Sequence, residues 1–79
     1  MSFFLNQEER VLSANYSEWS NSDIIFWLSS KINLGKYSKA FEEMAVDGDM
    51  IEYITEKDLE LDFKVNVRLH RIKIMKHIN

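Results

Sequence analysis

Paired carboxylates are the first residues in this chain whose types and spacing could do chemistry. Asp47 and Asp49 lie two apart, and Asp58 and Asp62 lie four apart, which would put the second pair on one helical face. Two carboxyl groups work as general acid and base when a cleft separates their pKa values beside a substrate-sized cavity. A chain of 79 residues has little volume for both a core and such a cleft, so these are expected to be surface acids. No catalytic residue is assigned, and the chain is not expected to be an enzyme. The serines have no evident histidine and carboxylate partner set, and neither Gly35 nor Gly48 belongs to a phosphate-binding loop. His70 and His77 lack carboxylates at metal-ligand spacing and are expected on a helix surface. The chain has no cysteine, which removes disulfides, thiolate catalysis and cysteine zinc sites together. No metal or cofactor site is therefore assigned.

Charge is the more informative chemistry. The stretch VDGDMIEYITEKDLELDF, Val46 to Phe63, carries seven acids and one lysine, and KVNVRLHRIKIMKHIN, from Lys64 onward, carries five bases and no acid. Each run alone would be a solvated face. Side by side in one small domain they present opposite potentials, which steer encounters and fix register between partners. The net charge of -3 and the acids next to the basic run would repel a polyanion, and no aromatic residues interleave with the bases as stacking platforms. Nucleic acid is thus disfavoured as a partner. RNA-hairpin binding through Arg68, Arg71, Lys73 and Lys76 is kept as the alternative function.

The elements that must position these charges read as helices. Apolar content of 46% with 29% charged suits one small globular domain, without room for a second core. Proline is absent and glycine occurs at two positions, so helices can run unbroken while Asn, Asp and Ser make most turns. Residues 1 to 18 read as an N-terminal arm or a short extra helix, and 19 to 79 as the folded domain. Ser20 with Asp23 forms a capping-box pattern ahead of a helix over Asp23 to Ser30, with Ile24, Trp27 and Leu28 inward. A second helix over Lys36 to Met44 turns Tyr37, Ala40, Phe41 and Met44 inward, and Asp47-Gly48 reads as a turn in which glycine takes positive φ. Short helices over Asp49 to Ile54 and Glu56 to Leu61 follow, the latter behind a Thr55 and Asp58 box. Asn66 is the expected N-cap of the longest helix, Val67 to Ile78, whose inner stripe reads as Leu69, Ile72, Met75 or Ile74, and Ile78. The fold class is all-α: a compact five-helix bundle with a long C-terminal helix.

The order of these pieces resembles the sterile alpha motif (SAM) family. Trp19 matches a tryptophan just ahead of the first helix, and Ile24 to Leu28 match a V/I-x-x-W-L run within it. Leu34, Tyr37 and Phe41 match L-x-x-Y-x-x-x-F, and Val46, Asp47, Gly48 and Met50 match an I/V-D-G turn with an apolar residue two beyond. Thr55, Asp58 and Leu59 match the threonine and D-L pair of the fourth helix. A final L-G-I block corresponds either to Leu61, Asp62 and Phe63 or to Phe63, Lys64 and Val65. The resemblance covers about three quarters of the chain.

The resemblance implies a protein-protein interaction module of the kind used in signalling, scaffolding and oligomerisation. It implies an acidic mid-domain surface of Asp47, Asp49, Glu52, Glu56, Asp58 and Glu60, and a basic surface of Lys64, Asn66, Val67, Arg68 and Arg71 at the start of the last helix. These would join head to tail with another SAM domain, self or non-self. Charge segregation gives the same two faces, with Val67 or Met50 as candidate apolar contacts. The arm is expected either to dock Phe3, Phe4 or Leu12 on one of these faces or to stay flexible. The longest apolar run, Ile24 to Leu28, is far short of a bilayer span, and no secretory signal pattern opens the chain, so an intracellular, cytoplasmic setting is expected.

Overall fold

A computed structural model describes residues 10–78 of the chain. Five helices surround one core: α1 (Asn21–Phe26), α2 (Ser38–Glu43), α3 (Gly48–Ile51), α4 (Glu56–Leu61) and α5 (Arg68–Ile78). A π-helical turn, Trp27–Lys31, extends α1, and single 3-10 turns occupy Tyr16–Glu18 and Gly35–Tyr37. The all-α bundle with a long last helix expected from the periodicity is the observed architecture.

Local chemistry accounts for where the helices begin. Both expected capping boxes form. Ser20 Oγ accepts from the Asp23 amide while the Asp23 carboxylate accepts from the Ser20 amide, and Thr55 and Asp58 repeat the exchange. Each box satisfies two backbone groups at a helix end that would otherwise lack partners. The last helix opens one residue later than expected. The Val67 carbonyl accepts from the amides of His70 and Arg71, which puts the cap position on Val67 and leaves Asn66 exposed ahead of it.

Three of the helical segments are followed by residues with left-handed backbone, and among the described residues these are Asn33, Ala45 and Lys64, with φ of 59°, 54° and 58°. Glycine usually fills such positions because a Cβ there is strained by about 1–2 kcal/mol. At Ala45 the ending is a Schellman arrangement: the Ala45 amide bonds to the Glu42 carbonyl and the Val46 amide to the Phe41 carbonyl. Beyond α4, the Val65 amide reaches the Leu59 carbonyl at 2.8 Å, with Lys64 in the left-handed position between two buried residues, Phe63 and Val65. Leu61 is exposed. Phe63, Lys64 and Val65 are thus the apolar-turn-apolar block, and the register placing Leu61, Asp62 and Phe63 there is not the one adopted.

Gly48 corrects a second expectation. Neither glycine has positive φ. Gly48 is needed instead for space: a Cβ there would lie 2.0 Å from the Tyr16 carbonyl oxygen and 2.7 Å from the Ser17 carbonyl carbon. The strap Leu12 to Trp19 crosses α3 at this point. It is held by the Gly48 amide donating to the Trp19 carbonyl at 2.8 Å and by Trp19 Nε1 donating to the Ser13 carbonyl at 2.8 Å. Leu12, Tyr16 and Trp19 pack half-buried against the core, while Phe3 and Phe4 lie outside the described residues.

The core is built from Ile24, Leu28, Phe41, Leu59, Val65 and Ile74, all fully enclosed, with Trp27, Tyr37 and Phe63 beside them. Phe41 and Phe63 meet at a ring separation of 4.6 Å, tying α2 to the turn after α4. On α5 the inward stripe is Arg71, Ile74, Met75 and Ile78. Leu69, expected inside, is 68% exposed, and Ile72 also faces out. The stripe still follows the i, i+3, i+4, i+7 rhythm of a helix. Its first position is a charged residue, so an apolar-only pattern selects the wrong phase.

Candidate interaction surfaces

The two charged regions are each set by a turn, and each turn is clamped by one helical side chain, from the distant α1 in the first case and from the helix that follows in the second. Asn21 Nδ2 donates to the carbonyls of Phe41 and Val46 at 3.1 and 2.7 Å, fixing the passage from α2 to α3. Arg71 Nη1 donates to the Val65 carbonyl at 2.8 Å, fixing the passage from α4 to α5. Arg71 is 8% exposed, and its Nε also donates to Glu56 Oε2 at 3.2 Å. The structure therefore joins Arg71 and Glu56, expected on opposing surfaces, in one ion pair within the chain.

In the mid-domain region Asp47 caps α3 by accepting from the Met50 amide, and Asp58 caps α4. Both are half-buried as caps, whereas Asp49, Glu52 and Glu60 are exposed to solvent and Glu56 is turned toward Arg71. Between the helices lies a groove of about 280 Å³ lined by Met44, Val46, Met50, Tyr53, Ile54, Asp58, Asp62 and Phe63. Met44, Met50 and Tyr53 are 49, 52 and 70% exposed, an apolar floor with acids at its rim. Of these three, sequence reasoning singled out Met50 alone. Met44 was expected in the core, but it caps the C-terminus of α2 just before the left-handed Ala45, where the chain turns it outward. A detectable signal for Tyr53 was its place two residues after the inward Ile51, outside the helical phase.

At the other region Lys64, Asn66, Val67 and Arg68 are all exposed. Val67, at 45%, is an exposed apolar residue in a stretch that also exposes Lys64, Asn66 and Arg68. Leu69, two residues further along and expected inward, is exposed as well. The stripe Arg68, Arg71, Lys73 and Lys76 needed for RNA binding is broken, because Arg71 is buried under the turn. Among the described residues no group of three or more His, Cys, Asp or Glu side chains could hold a metal ion, and no helix is long and apolar enough to cross a membrane.

A model of the SAM domain (Sterile alpha motif) family matches residues 16–79. Among curated proteins the chain is 32% identical over 60 residues to the NAD(+) hydrolase tir-1 of Caenorhabditis elegans, covering 76% of this chain and 6% of that protein. It is 32% identical over 69 residues to the NAD(+) hydrolase SARM1 of Danio rerio, covering 87% of this chain and 9% of that one. Kazrin of Homo sapiens is 37% identical over 49 residues, which is 62% of this chain and 6% of the relative. The aligned parts thus span less than a tenth of the length of each of these relatives.

Proposed function

The chain belongs to the sterile alpha motif family, and from that premise we propose that it docks head to tail with another SAM domain, self or non-self. In this reading the mid-domain groove of one copy receives the start of α5 of the next. The observation that carries it is the pairing of shapes and charges. An exposed Val67, in a stretch that also exposes Lys64, Asn66 and Arg68, complements a groove lined by Met44, Met50 and Tyr53 together with Asp58 and Asp62. Apolar contact supplies affinity, and the surrounding charges supply encounter rate and orientation.

Within this reading the acidic surface is contacted through Asp49, Glu52 and Glu60, with Asp47 and Asp58 presenting it by capping α3 and α4. Arg71 and Glu56 act as positioning residues. Their pair holds the Val65 carbonyl, and with it the stretch from Lys64 to Arg68, at a fixed angle to α4. The two surfaces differ, so the contact is heterologous and propagates into open chains unless a different domain caps one end. The hydrolase activity named for two relatives is not carried over to this chain, because the aligned parts span 6% and 9% of those proteins.

Sedimentation velocity on two variants tests the arrangement. Arg68→Glu and Met50→Glu each disable one surface, so each alone should be monomeric with an unchanged circular dichroism spectrum. Mixed together they should form a one-to-one pair and nothing larger, since each retains the intact surface the other lacks. Unchanged association of a folded Arg68→Glu protein, or no pairing on mixing two variants of an associating parent, overturns the assignment. If the parent chain itself stays monomeric, the partner is a different SAM domain, and the same two variants should lose its capture. Raising salt from about 50 to about 500 mM should weaken the contact, because the rim charges are solvent-exposed and become screened.

A further inference from the structure

We propose that Lys36, Lys39 and Lys64 form a binding site for a small anion carrying several phosphate groups. The three lysines line an open concavity of about 470 Å³ between the Gly35–Tyr37 turn, α2 and the turn after α4. Its floor is Tyr37, Ala40 and Phe63, and Glu43 is the single acid among its lining residues. Among the described residues none of the three lysines takes part in an ion pair. Three bases thus face one acid, Glu43, around the bowl, which leaves it net positive.

Two features separate this cluster from ordinary surface lysines. Lys64 holds its place at φ 58°, where glycine would be free of strain and the apolar neighbours Phe63 and Val65 already fix the turn. Backbone strain of this kind clusters at ligand clamps and switch regions, and of the described left-handed residues Asn33, Ala45 and Lys64, Lys64 alone carries a charge. Lys36 is also pre-placed. Its ammonium lies 5.5 Å from the centroid of the Tyr37 ring, and that ring is buried and anchored by the contact of its hydroxyl with His70 Nδ1. A cation over an aromatic face is held by the ring's quadrupole.

The charge pattern, three lysines from separate parts of the chain around one shallow concavity, identifies the ligand class. Lysine meets phosphate as a point charge through three rotatable donors. Three ammonium groups spread around a bowl thus match separate phosphates on one compact scaffold, such as a polyphosphorylated inositol ring, free or as a lipid headgroup. The site stands apart from the docking reading, since Lys36 and Lys39 take no part in that surface and Lys64 alone is common to both.

Titration of the 79-residue chain with myo-inositol hexakisphosphate at about 150 mM salt, followed by amide NMR, tests the proposal. Shifts should concentrate at residues 36 to 40, 43 and 62 to 65, and inorganic phosphate should bind far more weakly. The double variant Lys36→Gln and Lys39→Gln should lose about thirtyfold in affinity, at roughly a factor of five for each lysine near a phosphate cluster. Lys64→Gly should weaken binding by about fivefold without lowering the melting temperature, and Glu43→Gln should strengthen it. Binding to vesicles containing phosphatidylinositol 4,5-bisphosphate but not to phosphatidylcholine vesicles, lost in the double variant, assigns the lipid source, whereas binding of the soluble probe alone assigns a free metabolite. Shifts centred on Lys73 and Lys76, affinity unmoved by the double variant, or equal binding of inorganic phosphate overturns the proposal.

Discussion

The turns at Gly48 and at Lys64 invert the usual division of labour between glycine and side-chain-bearing residues. Gly48 has an ordinary backbone and is required because the Tyr16 carbonyl occupies the space a Cβ would fill. Lys64 has the backbone that favours glycine and bears a long charged side chain instead. One turn sacrifices a side chain to let two chain segments touch, and the other accepts strain to keep one. Both stand beside a candidate surface, and both are clamped by a polar helical side chain, neutral Asn21 of the distant α1 in the first case and charged Arg71 of the following α5 in the second.

The largest effect that could break this contrast is at Gly48. Gly48→Ala should destabilise by about 3 kcal/mol or more, because the contact at 2.0 Å is with backbone that cannot swing aside. A melting temperature lower by roughly 12–24 °C, or failure to fold, is expected. A shift of a few degrees would show that the strap lifts easily and that glycine is not needed there.

The two clamps come next. Arg71→Ala strips the Val65 carbonyl of its side-chain donor and leaves Glu56 without its partner, which should cost about 2–3 kcal/mol in denaturant unfolding. Glu56→Gln should cost less than about 1 kcal/mol, since that carboxylate is half exposed and its pairing is weakened by solvent. If the two variants cost the same, the ion pair and not the carbonyl bond carries the clamp. Asn21→Ala, removing neutral donors from two carbonyls, should cost about 1–2 kcal/mol. A loss as large as that of Arg71→Ala would erase the distinction between charged and neutral clamps.

The smallest effect has the opposite sign. Lys64→Gly should raise stability by about 0.5 kcal/mol, the relief of left-handed strain being partly offset by the greater freedom of glycine in the unfolded chain. Equilibrium unfolding in urea measures it. A loss of stability on this substitution would mean that the lysine stem packs usefully on Phe63, and the strain argument would fail.

These particular residues also show what could be read before any coordinates. Helix starts at Ser20 and Thr55 were legible because a hydroxyl and an acid three residues apart satisfy local backbone groups, whatever the rest of the fold does. The core aromatics Trp27, Tyr37 and Phe41 were legible from helical spacing. The phase of α5 was not, because its first inward residue is Arg71, made tolerable by a carbonyl and a carboxylate that only tertiary contact supplies. The L-G-I register stayed open since a lysine hides a left-handed turn. The polarity of the two surfaces was visible in the order of charges, yet the groove floor was not: Met44 and Tyr53 reach it from opposite ends of α3, with no shared spacing in the chain.

The strap over α3 also gives the molecule a built-in optical probe. The indole of Trp19 is half exposed and anchored to Ser13, and its ring centroid lies 5.9 Å from that of the enclosed Trp27. Excitation energy passes readily between indoles so close together. Peeling the strap would thus change emission wavelength and anisotropy at once and release the Gly48 amide to exchange with deuterium, so local detachment can be timed separately from collapse of the bundle.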